Sequence, residues 1–274
     1  MAAPLRPVAG IVTIMDAAVQ QTVDDAYRVF SRYRLNGTVT ACTCPVCMSE
    51  EDAQALAVAP LREVSSALLS EYTNSAHDLV EDELRYFLPR YFECLANGEV
   101  PSPNGIEVCF ARMRAADYPA NWPRAEVEAI DAFFAAMFRR QMEAPIGVYM
   151  GRRVLLTGES AEELLCMVAR AGGDVGPLLR LWDMIAGRPA DLRIAALIND
   201  AALEPRMLGN AHWDIEHDPE LERSIRSVFD WLARAETFER LDAALGREEE
   251  ELGRQFLQSA LDGWIRLVKA GGSG

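Results

Sequence analysis

Glu81-Asp82-Glu83-Leu84-Arg85-Tyr86-Phe87-Leu88-Pro89-Arg90-Tyr91-Phe92-Glu93-Cys94-Leu95-Ala96 is the stretch whose reading decides the fold class. Leu84, Phe87, Leu88, Tyr91 and Leu95 recur every three or four residues, the period of one face of an α-helix. Asn97-Gly98 follows as a stop, because glycine accepts the left-handed conformation that closes a helix. Pro89 lies inside the stretch. It lacks an N–H and crowds the preceding turn, so it should kink the helix or split it in two.

The same period extends outward in both directions. Val23, Ala26, Tyr27 and Phe30 give a helix over about 16–34. Ser49, followed three residues later by Asp52, reads as a capped start for a short helix reaching about Ala57, and Pro60 opens the next segment. Further helices are expected over 106–115, with Val108, Cys109 and Met113 inward, and over 124–142, with Val127, Ile130, Phe134, Met137 and Phe138 inward. Pro123 suits a first turn because the N–H it lacks would have had no partner there. Ser160 with Glu163 caps a helix to Arg170, stopped by Gly172-Gly173. Helices over 175–186, 189–198, 220–234, 237–245 and 247–268 complete the set. The last carries a stripe of Leu252, Phe256, Ala260 and Trp264. Only 145–156 has a strand-like flavour. About eleven helices predict an all-α fold, either an antiparallel bundle or an irregular HEAT-like stack. The expected division is an N-terminal lobe over 1–144 and a C-terminal lobe over 145–270, or one continuous domain. Gly271-Gly272-Ser273-Gly274 reads as a vector-derived scar.

Composition narrows the function classes. The 274 residues are 50% hydrophobic and 25% charged, ordinary for a globular chain. The 42 acids against 27 Lys and Arg give a net charge of -15. Such a surface repels nucleic-acid phosphates and an anionic membrane, and it favours a basic protein partner. Six cysteines are too few for a disulfide scaffold, so the expected setting is a reducing cytoplasm. No run approaches the roughly 18 apolar residues of a membrane span.

Three of the cysteines stand close together in Cys42-Thr43-Cys44-Pro45-Val46-Cys47. Structural zinc takes four Cys or His ligands; Cys42, Cys44 and Cys47 supply three, and a fourth would come from a distant residue such as His77. A redox reading rests on Cys44-Pro45-Val46-Cys47 lying just before a helix start, where a thiolate is favoured, but the strands that normally accompany such chemistry are missing. The plain alternative is that these thiols pack a loop against the first helices. Cys94, Cys109 and Cys166 fall inside apolar helical patterns, where cysteine behaves as a small hydrophobe.

Two acidic stretches are candidate contact sites for a protein partner. In the first, Asp214, Glu216, Asp218 and Glu220 lie around His212 and His217. This segment also reads as a loop pinned by Trp213, with Asp218 capping the helix from Pro219. The second is the run Glu248, Glu249, Glu250 and Glu251, which equally suits a solvated helix start. No Walker loop, dinucleotide fingerprint, G-x-S-x-G or H-E-x-x-H is present, which lowers the expectation of a common enzyme class.

A wider pattern joins the Cys44/Cys47 pair, Leu61 in A-P-L-R-E-V and the segment Asp82–Arg90. It continues through Trp122-Pro123, Gly209-Asn210-Ala211-His212-Trp213-Asp214 and Trp231-Leu232. It resembles a widespread family of bacterial all-helical proteins. The resemblance implies only a cytoplasmic helical protein; analogy of fold and charge adds the expectation of a binding protein of the immunity type, which neutralises a polymorphic or Rhs-type toxin by direct contact. A metal- or thiol-dependent enzyme or sensor built on the cysteine cluster is the alternative, and a structural subunit of a larger assembly is a third.

Overall fold

The computed structural model describes residues 16–44, 46–76, 78–146, 158–201 and 218–271. Among them the chain forms twelve α-helices: α1 Ala17–Val29, α2 Glu50–Val58, α3 Ser66–Asn74, α4 Glu81–Ala96, α5 Ala111–Ala115, α6 Arg124–Glu143, α7 Ala161–Arg170, α8 Gly176–Met184, α9 Arg188–Ala201, α10 Pro219–Leu232, α11 Ala235–Arg247 and α12 Glu251–Gly271. Single 3-10 turns cover Leu61–Glu63 and Ile106–Val108. The protein is all-α, as the periodicity predicts. Of the strand-like 145–156 all but the first two residues lie outside the described residues, as do residues 202–217.

Side-chain caps open five of these twelve helices, α1 among them through Asp16. Ser49, Ser65 and Ser160 each accept a hydrogen bond from the N–H three residues on, and Ser160 with Glu163 forms a reciprocal capping box. Each cap satisfies donors that the first turn leaves open. Asp218 does the same for α10, taking the N–H groups of Glu220 and Leu221.

α4 runs through Pro89 as one continuous helix, so the proline does not split it. All five stripe residues are buried, and so are Phe92 and Cys94 on the flanks. The helix is therefore enclosed on more than one side, by α1 and α3 among others. Phe92 lies flat on Phe133 of α6, with ring centroids 4.1 Å apart and an interplanar angle of 12°. Phe110 and Phe134 meet Phe92 edge-on, at 5.5 and 6.4 Å. α6 is central, touching α1 on one side and α7, α8 and α9 on others. α9 packs on α11 and α12, and buried apolar residues form one continuous core from Val19 to Leu267.

Several details differ from the expectation. α3 is an additional helix; its Ser-rich sequence has a weak apolar stripe, with only Leu69 and Tyr72 buried. The segment 106–115 is a 3-10 turn followed by α5 rather than one helix. α1 ends at Val29, before 34. Arg247 closes α11, and Glu248–Glu250 form the connection to α12. In α12 the buried apolar side chains are Leu257, Ala260, Leu261 and Leu267. Phe256 and Trp264 only flank that face. Trp264 packs on Phe238 at 4.9 Å and donates its indole N–H to the Leu232 carbonyl at 2.9 Å. A margin position suits a ring with one polar edge.

Phe92→Ala should remove about 3–5 kcal/mol of stability, the usual cost of emptying a large aromatic site in a packed core. Urea unfolding followed by circular dichroism checks this. A loss below about 1 kcal/mol would mean the ring stack is not a principal contact.

Candidate metal centre

The cysteine cluster occupies the connection between α1 and α2, and hydrogen bonds fix that connection to the body of the protein. The Thr40 N–H and hydroxyl both donate to the Glu83 carboxylate in the first turn of α4, at 2.9 and 3.0 Å. The Cys42 N–H donates to Ser75 Oγ at 2.8 Å, and Ser75 itself is buried just after α3. Arg112 donates to the Ser75 carbonyl at 2.5 Å, tying that point to α5. Beyond the cysteines, Met48 is 2% exposed and Ser49 caps α2. The loop is thus anchored on both sides of the thiols.

Two backbone bonds then curl the loop. Cys47 N–H donates to the Cys44 carbonyl at 3.1 Å, and Met48 N–H donates to the Cys42 carbonyl at 3.3 Å. The result brings the Cys42, Cys44 and Cys47 sulfurs within 4.8 Å of one another. Zinc bonded to sulfur at about 2.3 Å in a tetrahedron separates its sulfurs by roughly 3.8 Å. Closing from the observed spacing takes about an ångström, which rotation about χ1 can supply. All three thiols are free, with Cys44 exposed and the other two half-buried. This cluster could bind a metal ion. His77, the fourth ligand expected from sequence, lies outside the described residues. No other His, Cys, Asp or Glu among the described residues joins the group.

The thiols perturb one another. The Val46 N–H, then the Cys42 and Cys47 thiols, stabilise a thiolate on Cys44 and draw it down to about 7. Cys42 shifts the other way. The Cys44 N–H favours its thiolate, but the Cys44 and Cys47 thiols outweigh that and raise it. Cys44 therefore gives up its proton before Cys42, and the shift requires no burial. The three remaining cysteines contrast sharply: burial pushes Cys94 up to about 11 and Cys109 to about 12, and raises Cys166 as well. These are inert core groups.

The acidic candidates are dispersed. Asp218 faces Arg114, which also reaches Glu220 at 3.0 Å. Burial opposes the charge on Asp218, but Arg114 and the helix N–H groups prevail and hold its carboxyl low. Glu248 is buried and accepts from Arg188 at 2.7 Å, while Glu250 meets the same guanidinium at 3.2 Å. A Cβ on Gly253 would lie 2.6 Å from the Glu248 carboxyl carbon, so α12 starts with a glycine where this acid folds back over it. Glu249 and Glu251 are exposed. Asp214, Glu216, His212 and His217 lie outside the described residues.

Comparison with protein families, curated proteins and solved structures yields no significant match.

Alkylation of the reduced, metal-free chain by iodoacetamide should centre on Cys44 and rise with pH about a midpoint near 7. Cys94, Cys109 and Cys166 should react only after unfolding, as peptide mass mapping would show. A midpoint at the ordinary thiol value of about 8.5 would contradict the described environment.

Proposed function

We propose that this chain is a metal-binding helical protein in which Cys42, Cys44 and Cys47 ligate one zinc ion as thiolates. The observation that carries this reading is the convergence of three free sulfurs, within 4.8 Å, on a loop anchored at both ends. Thiolate sulfur is a soft donor suited to zinc, and Mg2+ and Ca2+ prefer oxygen. Three protein ligands leave a fourth position for another residue or an exchangeable ligand. When bound, the ion supplies a cross-brace between the two halves of the loop. The chain's own contribution is to hold the donors: Ser75 and Glu83 fix the loop, and the turn at Cys44 orients the sulfurs. Binding displaces thiol protons, so affinity rises with pH.

Reduced protein dialysed against zinc should retain one equivalent per chain by elemental analysis. Cys44→Ser/Cys47→Ser should retain none while keeping its helical circular dichroism. Sub-stoichiometric zinc in the unaltered chain would refute the assignment.

A second reading is favoured by the net charge of -15. An acidic helical surface suits a basic protein partner, and the analogy of fold and charge with immunity proteins makes a toxin domain the partner to test first. Among the described residues, Glu220, Glu249, Glu250 and Glu251 are the exposed acids of its two candidate stretches. Co-expression with the product of an adjacent toxin gene should give a co-eluting complex and restore growth; neither result would leave this reading without support.

A further inference from the structure

The arrangement of the three sulfurs bears on what would remove a bound metal. We propose that the centre is redox-gated: a hydroperoxide joins Cys44 to Cys47 and expels the metal ion. This rests on the zinc assignment above and adds its regulation.

The geometry selects the pair. Cys44 is exposed, and Val46, inside the same turn, is 91% exposed, so a small oxidant meets Cys44 from solvent. Cys47 is three residues on, held across the turn by its N–H bond to the Cys44 carbonyl at 3.1 Å. A disulfide places the two Cβ atoms about 3.8 Å apart and the sulfurs about 2.05 Å apart, an approach open to residues that close a four-residue turn. Cys42 is less suited. Its backbone is bonded to Ser75 through both N–H and carbonyl, at 2.8 and 3.4 Å, and only one residue separates it from Cys44. Cys94, Cys109 and Cys166 are enclosed in the core and cannot compete.

The chemistry closes without further reactants. The Cys44 sulfur attacks one peroxide oxygen, the O–O bond breaks, and the departing oxygen leaves as water or the corresponding alcohol after taking a proton. Cys44 becomes a sulfenic acid. The Cys47 sulfur then attacks the Cys44 sulfur, the S–O bond breaks, and a second water leaves as the S–S bond forms. Two cysteine sulfurs are oxidised by two electrons in total, and one hydroperoxide is reduced. Two of the three sulfur ligands are consumed. Cys42 alone cannot retain the ion, so release is complete rather than partial. A dithiol reductant restores both thiols.

The test uses the full reduced chain, loaded with zinc and freed of excess. One equivalent of hydrogen peroxide should release close to one equivalent of zinc to a chromogenic chelator. Peptide mass spectrometry should find a Cys44–Cys47 bridge, and dithiothreitol should restore binding. In metal-free Cys47→Ser, a dimedone adduct should accumulate on Cys44. The Cys42→Ser chain should still form the bridge. Zinc that stays bound under peroxide overturns the gating and leaves the metal site standing. A Cys42–Cys44 bridge, or bridges only between chains, overturns the assigned pair. A reduced chain that never binds zinc overturns both the site and its regulation.

Discussion

The contact of Phe92 with Phe133, flat and 4.1 Å between ring centroids, is where the architecture is decided. It joins α4 to α6 through their side chains, while α1 packs closely along both helices. Burial of such large apolar rings is the main favourable term in folding, and their mutual geometry adds to it. The consequences reach the cysteine loop. Phe87 of α4 packs on Tyr72 of α3 at 5.0 Å. That contact fixes the end of α3, where Ser75 holds Cys42. The first turn of α4 presents Glu83, which holds Thr40. A shift of α4 would move both anchors together, so the spacing of the three thiols is inherited from the core rather than set by the loop alone.

Buried charge follows the same logic. Glu126 at the start of α6 is 1% exposed. It accepts from the Tyr33 hydroxyl at 2.7 Å and from Arg32, and Arg85 stands 3.5 Å away without a hydrogen bond. Arg85 in turn lies over the Trp122 ring at 4.4 Å. In the C-terminal half, Asp191 takes Arg240 at 2.8 Å, and the same guanidinium donates to the Trp182 and Ile185 carbonyls. A planar guanidinium carries five donors in a fixed fork, so one side chain can hold a carboxylate and two carbonyls at once. Asp218 and Glu248 belong to this internal set. They brace helix ends, and Glu249, Glu250 and Glu251 are the acids of the Glu248–Glu251 run left exposed.

Much of this was legible in the sequence, for definable reasons. Stripes of large apolar residues at helical period located α4 and α6, and the Ser–x–x–acid pattern gave the starts of α2 and α7. α3 was hidden because its burial rests on two residues. On α12 the stripe placed Ala260 correctly, but the aromatic rings Phe256 and Trp264 drew the reading off the leucine face of Leu257, Leu261 and Leu267. At the centre, the C-x-C-x-x-C spacing was visible, but whether the sulfurs converge was not. That depends on Ser75 and Glu83, 33 and 43 positions away from their loop partners. A serine that closes a helix and an acid that opens one carry no local mark of such a role.

The central claim is that three sulfurs held by this scaffold act together on one metal ion. Cobalt(II) titration of the reduced chain tests it most directly, since cobalt takes zinc's tetrahedral geometry and reports its ligands optically. The account predicts saturation at one cobalt per chain, with intense visible bands of a tetrahedral ion and a near-ultraviolet thiolate charge-transfer band scaled to three sulfurs, both lost on adding zinc. Weak absorption of a six-coordinate, solvated ion, unchanged by zinc, would contradict it.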